Sequence, residues 1–266
     1  MAFKEKFTIT PAYVSVPSKR RSGLLMSPGV KFIVAHDTGN PKSTARGNRN
    51  YYENSRNEMS ASAHIFVDDK EIIECIPALT SDKPEKAWHV LYGLPTDNQL
   101  FGFNANDAAV GVEYCYGDNI NADESYRKFI WVMAKICFTY GLNPANSVIG
   151  HCFLDPKRKT DPVSGLLQSR RTYDQLLKDI VTEFNECTGG ASEKYVFTAS
   201  PGSGKVLHRL NVRKNEPTTK TEVAEIVNPG SIITYTGFVT NGQPVNGNPK
   251  WFKNDAGNYF WSGAIE

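Results

Sequence analysis

Val30-Lys31-Phe32-Ile33-Val34-Ala35-His36-Asp37-Thr38-Gly39-Asn40 decides how the first two thirds of this chain is read. Val30 to Ala35 is an apolar, β-branched run of a length that suits a buried strand. The run breaks into the turn-rich segment His36 to Asn40, so a histidine sits where a buried strand runs out into a loop. The pattern recurs downstream. Ala109-Val110-Gly111-Val112-Glu113-Tyr114 is a second buried-strand candidate, and Val148-Ile149-Gly150 leads straight to His151. Between these runs, Ser43 to Arg56 is polar with good helix formers and reads as a surface helix. Ala63 to Val67 and Glu71 to Ile76 flank Asp68-Asp69 and read as a hairpin. Tyr126 to Tyr140 carries Phe129, Ile130, Val132, Met133, Ile136 and Cys137 at helical spacing, with Gly141 as the C-cap. Tyr173 to Phe184 repeats that pattern with Leu176, Leu177, Ile180 and Val181. Strands interleaved with helices make an α/β domain.

The composition changes near Cys187. Thr188-Gly189-Gly190-Ala191-Ser192 and Ser200-Pro201-Gly202-Ser203-Gly204 have the small-residue density of linker or turn material. The expected organisation is a domain over 1–187, a linker over 188–204 and a small domain over 205–266. That last part has short strand-like pieces separated by Gly, Pro and Asn turns: Val206 to His208, Leu210 to Arg213, Ser231 to Thr236, Trp251 to Lys253 and Tyr259 to Trp261. It shows no helical periodicity, so a small β-barrel or sandwich is expected. His208, alone there, reads as structural.

With 30 Lys and Arg against 28 Asp and Glu, the formal net charge is +2. Such balance argues against nucleic acid as the partner, because non-specific binding draws on a clear basic excess. No uninterrupted apolar stretch approaches the roughly 18 residues of a membrane-spanning helix, so membrane insertion is not expected. Met1 to Arg20 has no apolar run of signal-peptide length, which reads as synthesis in the cytoplasm. Five cysteines without a CxxC pair read as reduced thiols.

Chemistry gathers on three residues. Zinc takes neutral imidazole nitrogens and anionic oxygens, and a catalytic site leaves its fourth position open. His36 and His151 both stand at strand ends, and Asp161 follows His151 by ten positions in a loop stiffened by Pro156 and Pro162. On spacing alone this is either a metal pair with a carboxylate or two hydrogen-bonded histidines at a core edge.

Residues 30–162 resemble the N-acetylmuramoyl-L-alanine amidase family of the amidase-2 type, whose relatives include bacteriophage endolysins, peptidoglycan recognition proteins and amidases that recycle anhydromuropeptides. The carriers are Phe32 to Thr38, Ser62 to Val67, Lys86-Ala87-Trp88-His89, Val110-Gly111-Val112-Glu113, and Gly150-His151 through Arg158-Lys159-Thr160-Asp161-Pro162. The resemblance implies a mixed central sheet flanked by helices, with His36, His151 and Asp161 as zinc ligands. It implies Glu113 as the acid–base residue that takes a proton from water and returns it to the leaving amine. It implies Lys159 as an oxyanion partner, a role typically worth about 3 kcal/mol. Without the resemblance, Glu113 reads as a strand-end carboxylate paired with a surface lysine. Trp88 and His89 are expected on the groove wall, although Val90-Leu91-Tyr92 departs from the small residue and glycine that usually follow there. His64 is carried as a substrate contact, the alternative being a satisfied half-buried histidine. Asn104 and Asn106 are further candidates for the same cleft. Cys152 lies too close to His151 to be a ligand and reads as a small buried residue.

Leu210 to Arg213, Pro229-Gly230 and Trp251 through Gly263 resemble a bacterial SH3-type domain of the kind that attaches such enzymes to the cell wall. Tyr235, Trp251, Phe252, Tyr259, Phe260 and Trp261 would supply a ligand face or the core of a small barrel. The implied function is zinc-dependent hydrolysis of the amide between N-acetylmuramic acid and L-alanine in peptidoglycan. An endolysin of this kind reaches the wall after a holin-type protein releases it. The competing readings are a non-catalytic peptidoglycan-binding protein and a zinc endopeptidase of the stem peptide.

Overall fold

The computed structural model describes residues 2–189, 195 and 197–266, and the chain divides into two compact units, residues 1–192 and 193–266. In the first unit the strands are β1 (Ile9–Pro11), β2 (Phe32–Asp37), β3 (Ile65–Val67), β4 (Ile72–Glu74), β5 (Ala109–Tyr114) and β6 (Val148–Gly150). Its helices are α1 (Ala45–Asn54), α2 (Pro95–Phe101), α3 (Ala105–Ala108), α4 (Ala122–Tyr140), α5 (His151–Leu154), α6 (Val163–Gln168) and α7 (Tyr173–Thr188). The strands form one sheet in the order β1-β4-β3-β5-β2-β6. β3 and β4 pair antiparallel and the other neighbours pair parallel, so the sheet is mixed, as expected.

The hairpin at Asp68-Asp69 forms for a local reason. Asp68 Oδ1 accepts the N–H groups of Lys70 and Glu71, and its Oδ2 accepts that of Ala45 at the start of α1. One carboxylate thus closes the turn and satisfies an orphan donor of a helix end. α4 ends at Gly141 as expected, but starts a turn earlier than its apolar spacing, because Asn121 caps it by accepting from Asp123 and Glu124.

Alternation along β2 divides its side chains between two faces. Ile33 and Ala35 enter the main core with Val110, Val112 and Tyr114 of β5, packed against Phe129, Val132 and Ile136 of α4 and Leu176 and Ile180 of α7. Phe32 and Val34 face the other way, among Val90, Ala105, Ala108 and Ala109. His36 follows the second set by parity. Among the described residues no helix is long and apolar enough to cross a membrane.

The second unit holds β7 (Phe197–Lys205), β8 (Leu210–Arg213), β9 (Val223–Val227), β10 (Ile232–Val239), β11 (Trp251–Lys253) and β12 (Tyr259–Trp261) in a sheet ordered β7-β10-β11-β12-β8-β9, with all pairs antiparallel. The expected linker over 188–204 needs correction. Thr188 closes α7, residues 190–194 and 196 lie outside the described residues, and Phe197 onward is strand. The small residues there answer to packing: a Cβ at Gly202 would lie 2.6 Å from the Tyr235 hydroxyl, and one at Gly204 would lie 2.5 Å from Ile265 Cδ1. β7 is an edge strand, which tolerates Pro201. Val206 to His208 is not a strand; Val206 makes one bridge to Ile265, and His208, expected as structural, is exposed. Of the six aromatic residues, Trp251, Phe252, Tyr259 and Phe260 are core, while Tyr235 and Trp261 are half-buried.

Candidate active site

β5, β2 and β6 are parallel neighbours, so their carboxyl ends open at one edge, where α/β sheets usually hold their ligands. Register brings the candidate residues together. His36 pairs with Glu113, and Ala35 pairs with Gly150, the residue before His151. His151 then opens the short helix α5 and is buried like His36.

Asp161 arrives on a loop tied at several points. The Cys152 N–H donates to the Asp161 carbonyl at 2.8 Å. Asp37, the residue after His36, accepts the Ser164 hydroxyl at 2.6 Å and the Gly165 N–H at 2.7 Å. Inside the loop, buried Asp155 accepts Arg158 Nε at 2.6 Å, and the Asp155 carbonyl accepts the Lys159 N–H at 3.0 Å. Cys152 is half-buried rather than buried.

The result is a convergent donor set. Asp161 Oδ2 lies 2.9 Å from His36 Nδ1 and 3.0 Å from His151 Nδ1. One ligand atom from each of the three lies within 4.8 Å of the others. Bonds of about 2.0–2.1 Å around a tetrahedral zinc put neighbouring ligand atoms about 3.3 Å apart, so the spacing fits such an ion with little adjustment. The electrostatics agree. Burial pushes His36 down to about 4, against an opposing pull from Asp161, so its imidazole is neutral at pH 7 and can act as a ligand. Burial also opposes ionisation of Asp161, but its contacts with His151 and His36 outweigh this and hold the carboxyl below the ordinary range.

Glu113 stands beside the set with Oε2 buried and without a hydrogen-bond partner. Burial, then repulsion from Asp161 and Asp37, pushes its carboxyl well above the usual range, while Lys159 draws it back. Around these groups lies a cleft of about 400 Å³, lined also by Trp88, His89, Lys159, Arg158, Tyr52 and Ser62. A second hollow of about 380 Å³ shares Trp88, His89, His151, Arg158 and Lys159 and adds Leu91 and Tyr92. Trp88 and His89 thus line both hollows.

His64 does not, and the substrate contact expected of it is withdrawn. It is fully buried, accepts the Gly111 N–H on Nδ1 at 2.9 Å, and donates from Nε2 to the Glu85 carbonyl at 3.0 Å. Both ring nitrogens are thus spent on backbone, and burial lowers the ring to about 4. Asn104 caps α3, whereas Asn106 reaches the second hollow. Tyr52 is a lining residue that sequence reasoning passed over, and Arg158 and Ser62, quoted only within motifs, were given no place in the cleft. Tyr52 had a usable signal: Tyr51-Tyr52 is the aromatic pair of an otherwise polar helix, and Tyr52 is the one that packs inward, against Phe66.

Residues 26–164 match the family described as Amidase_2, N-acetylmuramoyl-L-alanine amidase. The chain belongs to this family. It is 34% identical over 210 residues to a probable N-acetylmuramoyl-L-alanine amidase of Bacillus licheniformis, covering 76% of this chain and 57% of that one. It is 31% identical over 180 residues to the N-acetylmuramoyl-L-alanine amidase BlyA of Bacillus subtilis (strain 168), covering 62% and 45%. The chain thus spans about half the length of these relatives. In fold it resembles the Staphylococcus aureus hydrolase AmiA solved with its ligand, with a TM-score of 0.55, 24% identity, and coverage of 69% of this chain and 86% of that one.

Proposed function

We propose that this chain is an N-acetylmuramoyl-L-alanine amidase, which hydrolyses the amide between the lactyl carbonyl of N-acetylmuramic acid and L-alanine in bacterial peptidoglycan. The observation that carries the reading is the convergence of His36, His151 and Asp161 beside a carboxylate oxygen with no other partner. The three ligands would hold Zn²⁺, whose chemistry when bound is to acidify water toward neutrality and to offset negative charge on a carbonyl oxygen.

Glu113 supplies the proton transfers. Its free Oε2 accepts a proton from the attacking water and returns it to the amine nitrogen as the carbon–nitrogen bond breaks. A dication nearby offsets the repulsion from Asp161 and Asp37, which favours the ionised form that a base requires. The Lys159 ammonium, on the cleft wall, stabilises the oxyanion of the tetrahedral adduct. Trp88 offers an apolar face to sugar or stem peptide.

We assign the first unit to catalysis. The second, from β7 onward, we read as an SH3-type module that holds the chain on the cell wall, on the resemblance of Leu210 to Arg213 and Trp251 to Gly263. Digestion of purified sacculi tests the activity. New alanine amino termini are expected. New amino termini of other residues would indicate an endopeptidase, release of reducing sugars alone would defeat the proposal, and binding without cleavage would leave a recognition protein.

A further inference from the structure

His89 closes a chain of contacts that runs from the backbone of β5 to the ligand set. Its Nε2 lies 3.1 Å from the Ala109 carbonyl oxygen, and its Nδ1 lies 3.0 Å from His36 Nε2. At the far end, His36 Nδ1 lies 2.9 Å from Asp161 Oδ2. A carbonyl oxygen can only accept, so Nε2 of His89 carries a proton. In the neutral ring Nδ1 is then a bare acceptor, and it is the atom that faces His36. His36 must then donate from Nε2, which leaves a lone pair on Nδ1 facing a carboxylate oxygen. Two such lone pairs repel unless a cation lies against both.

Building on the metal reading above, we propose that His89 is a positioning residue that fixes His36 in the Nε2–H tautomer and so turns His36 Nδ1 into a metal ligand. Ligand histidines commonly donate their second nitrogen to a carboxylate, carbonyl or water. Here a second histidine takes that place, itself set by a backbone carbonyl. The fold builds this seat with care. The His89 and Val90 N–H groups both donate to buried Asn106 Oδ1, at 2.9 and 3.0 Å, and Asn106 Nδ2 donates to the Val90 carbonyl at 2.7 Å. Beneath the ring lies Gly111, where a Cβ would meet His89 at 2.8 Å.

Two measurements test this on the full chain. Long-range proton–nitrogen correlation spectra of the zinc-loaded protein at neutral pH read the protonated nitrogens directly. Both His36 and His89 should carry the proton on Nε2, and a proton on His36 Nδ1 would overturn the proposal. Competition against a chromogenic chelator with Zn²⁺ alone reads the consequence. His89→Phe keeps the ring volume without an acceptor and should weaken zinc binding about 10–100-fold. His89→Asn restores an acceptor at the δ position and should recover most of that loss. Equal affinity of wild type and His89→Phe would refute the role of His89 and leave the amidase reading intact. A wild type that binds no zinc would defeat the metal reading and, with it, this role for His89.

Discussion

Acidification of the metal-free protein should destabilise its first unit through three buried histidines. His36 and His64 are each lowered by burial from 6.5 to about 4, and His89 is lowered well below its ordinary value, again by burial first. In the unfolded chain these rings take up protons near pH 6.5, while in the folded protein they do not. Stability is therefore present above that pH and lost as pH falls toward 4. By pH 5 the window is 1.5 units wide, and at about 1.4 kcal/mol per unit His36 and His64 each cost about 2 kcal/mol. Together they cost about 4 kcal/mol, with His89 acting in the same direction, against the roughly 5–15 kcal/mol that holds a domain folded. Glu113 works in the opposite direction. Its carboxyl is raised in the folded state, so the folded protein already holds the proton that the unfolded chain gains on acidification. The measurement is cleanest in Glu113→Gln with chelator present. Helical ellipticity followed through urea titrations at pH 7, 6 and 5 reports the first unit, because α1 to α7 all belong to it. A loss below about 2 kcal/mol between pH 7 and pH 5 would mean that the rings are charged or hydrated in the folded state, and the reasoning would fail.

Asp161→Ala should lose both bound zinc and turnover, whereas Glu113→Ala should keep the metal and lose turnover; metal analysis beside a sacculus assay separates the two. Lys159→Met should lower turnover by about 10²–10³-fold with zinc retained, since it removes one oxyanion donor; unchanged turnover would remove Lys159 from the mechanism. Gly111→Ala puts a Cβ 2.8 Å from the His89 ring. It should destabilise the first unit by about 1–3 kcal/mol and weaken zinc binding, measured by thermal unfolding and chelator competition.

Much of this architecture can be read from the chain, and the exceptions have physical causes. β2, β5 and β6 stand out because buried parallel strands are continuous apolar runs that need no partner to be recognised. The helices α2, α5 and α6 do not, since elements of 7, 4 and 6 residues carry too few turns for a periodic signal. β7 was hidden because glycine and serine mark flexible chain and tight packing alike. The order and spacing of motifs single out His36, His151, Asp161, Glu113 and Lys159 as candidates, and the structure brings these five to one cleft. The fate of His64 was not legible in the chain. Whether a histidine at a strand end faces a cleft or the backbone of the next strand depends on pairing, and only the sheet reveals that His64 lies against Gly111. His89 shows the same limit from the other side: its motif marks it as a candidate for the cleft, which it lines, but its link to His36 spans 53 residues of sequence.

The tethers on the Asp161 loop have a thermodynamic consequence. Fixing the backbone of one residue costs about 1–2 kcal/mol of conformational entropy, and a floppy loop would charge that cost against every binding event. Here Cys152, Asp155 and Asp37 hold the segment through contacts made within the chain itself. The ordering is met once, during folding, and capture of the ion requires little further loss of freedom. A protein stripped by chelator should therefore keep its compact form and regain full activity as fast as zinc diffuses in, with no slow refolding phase between.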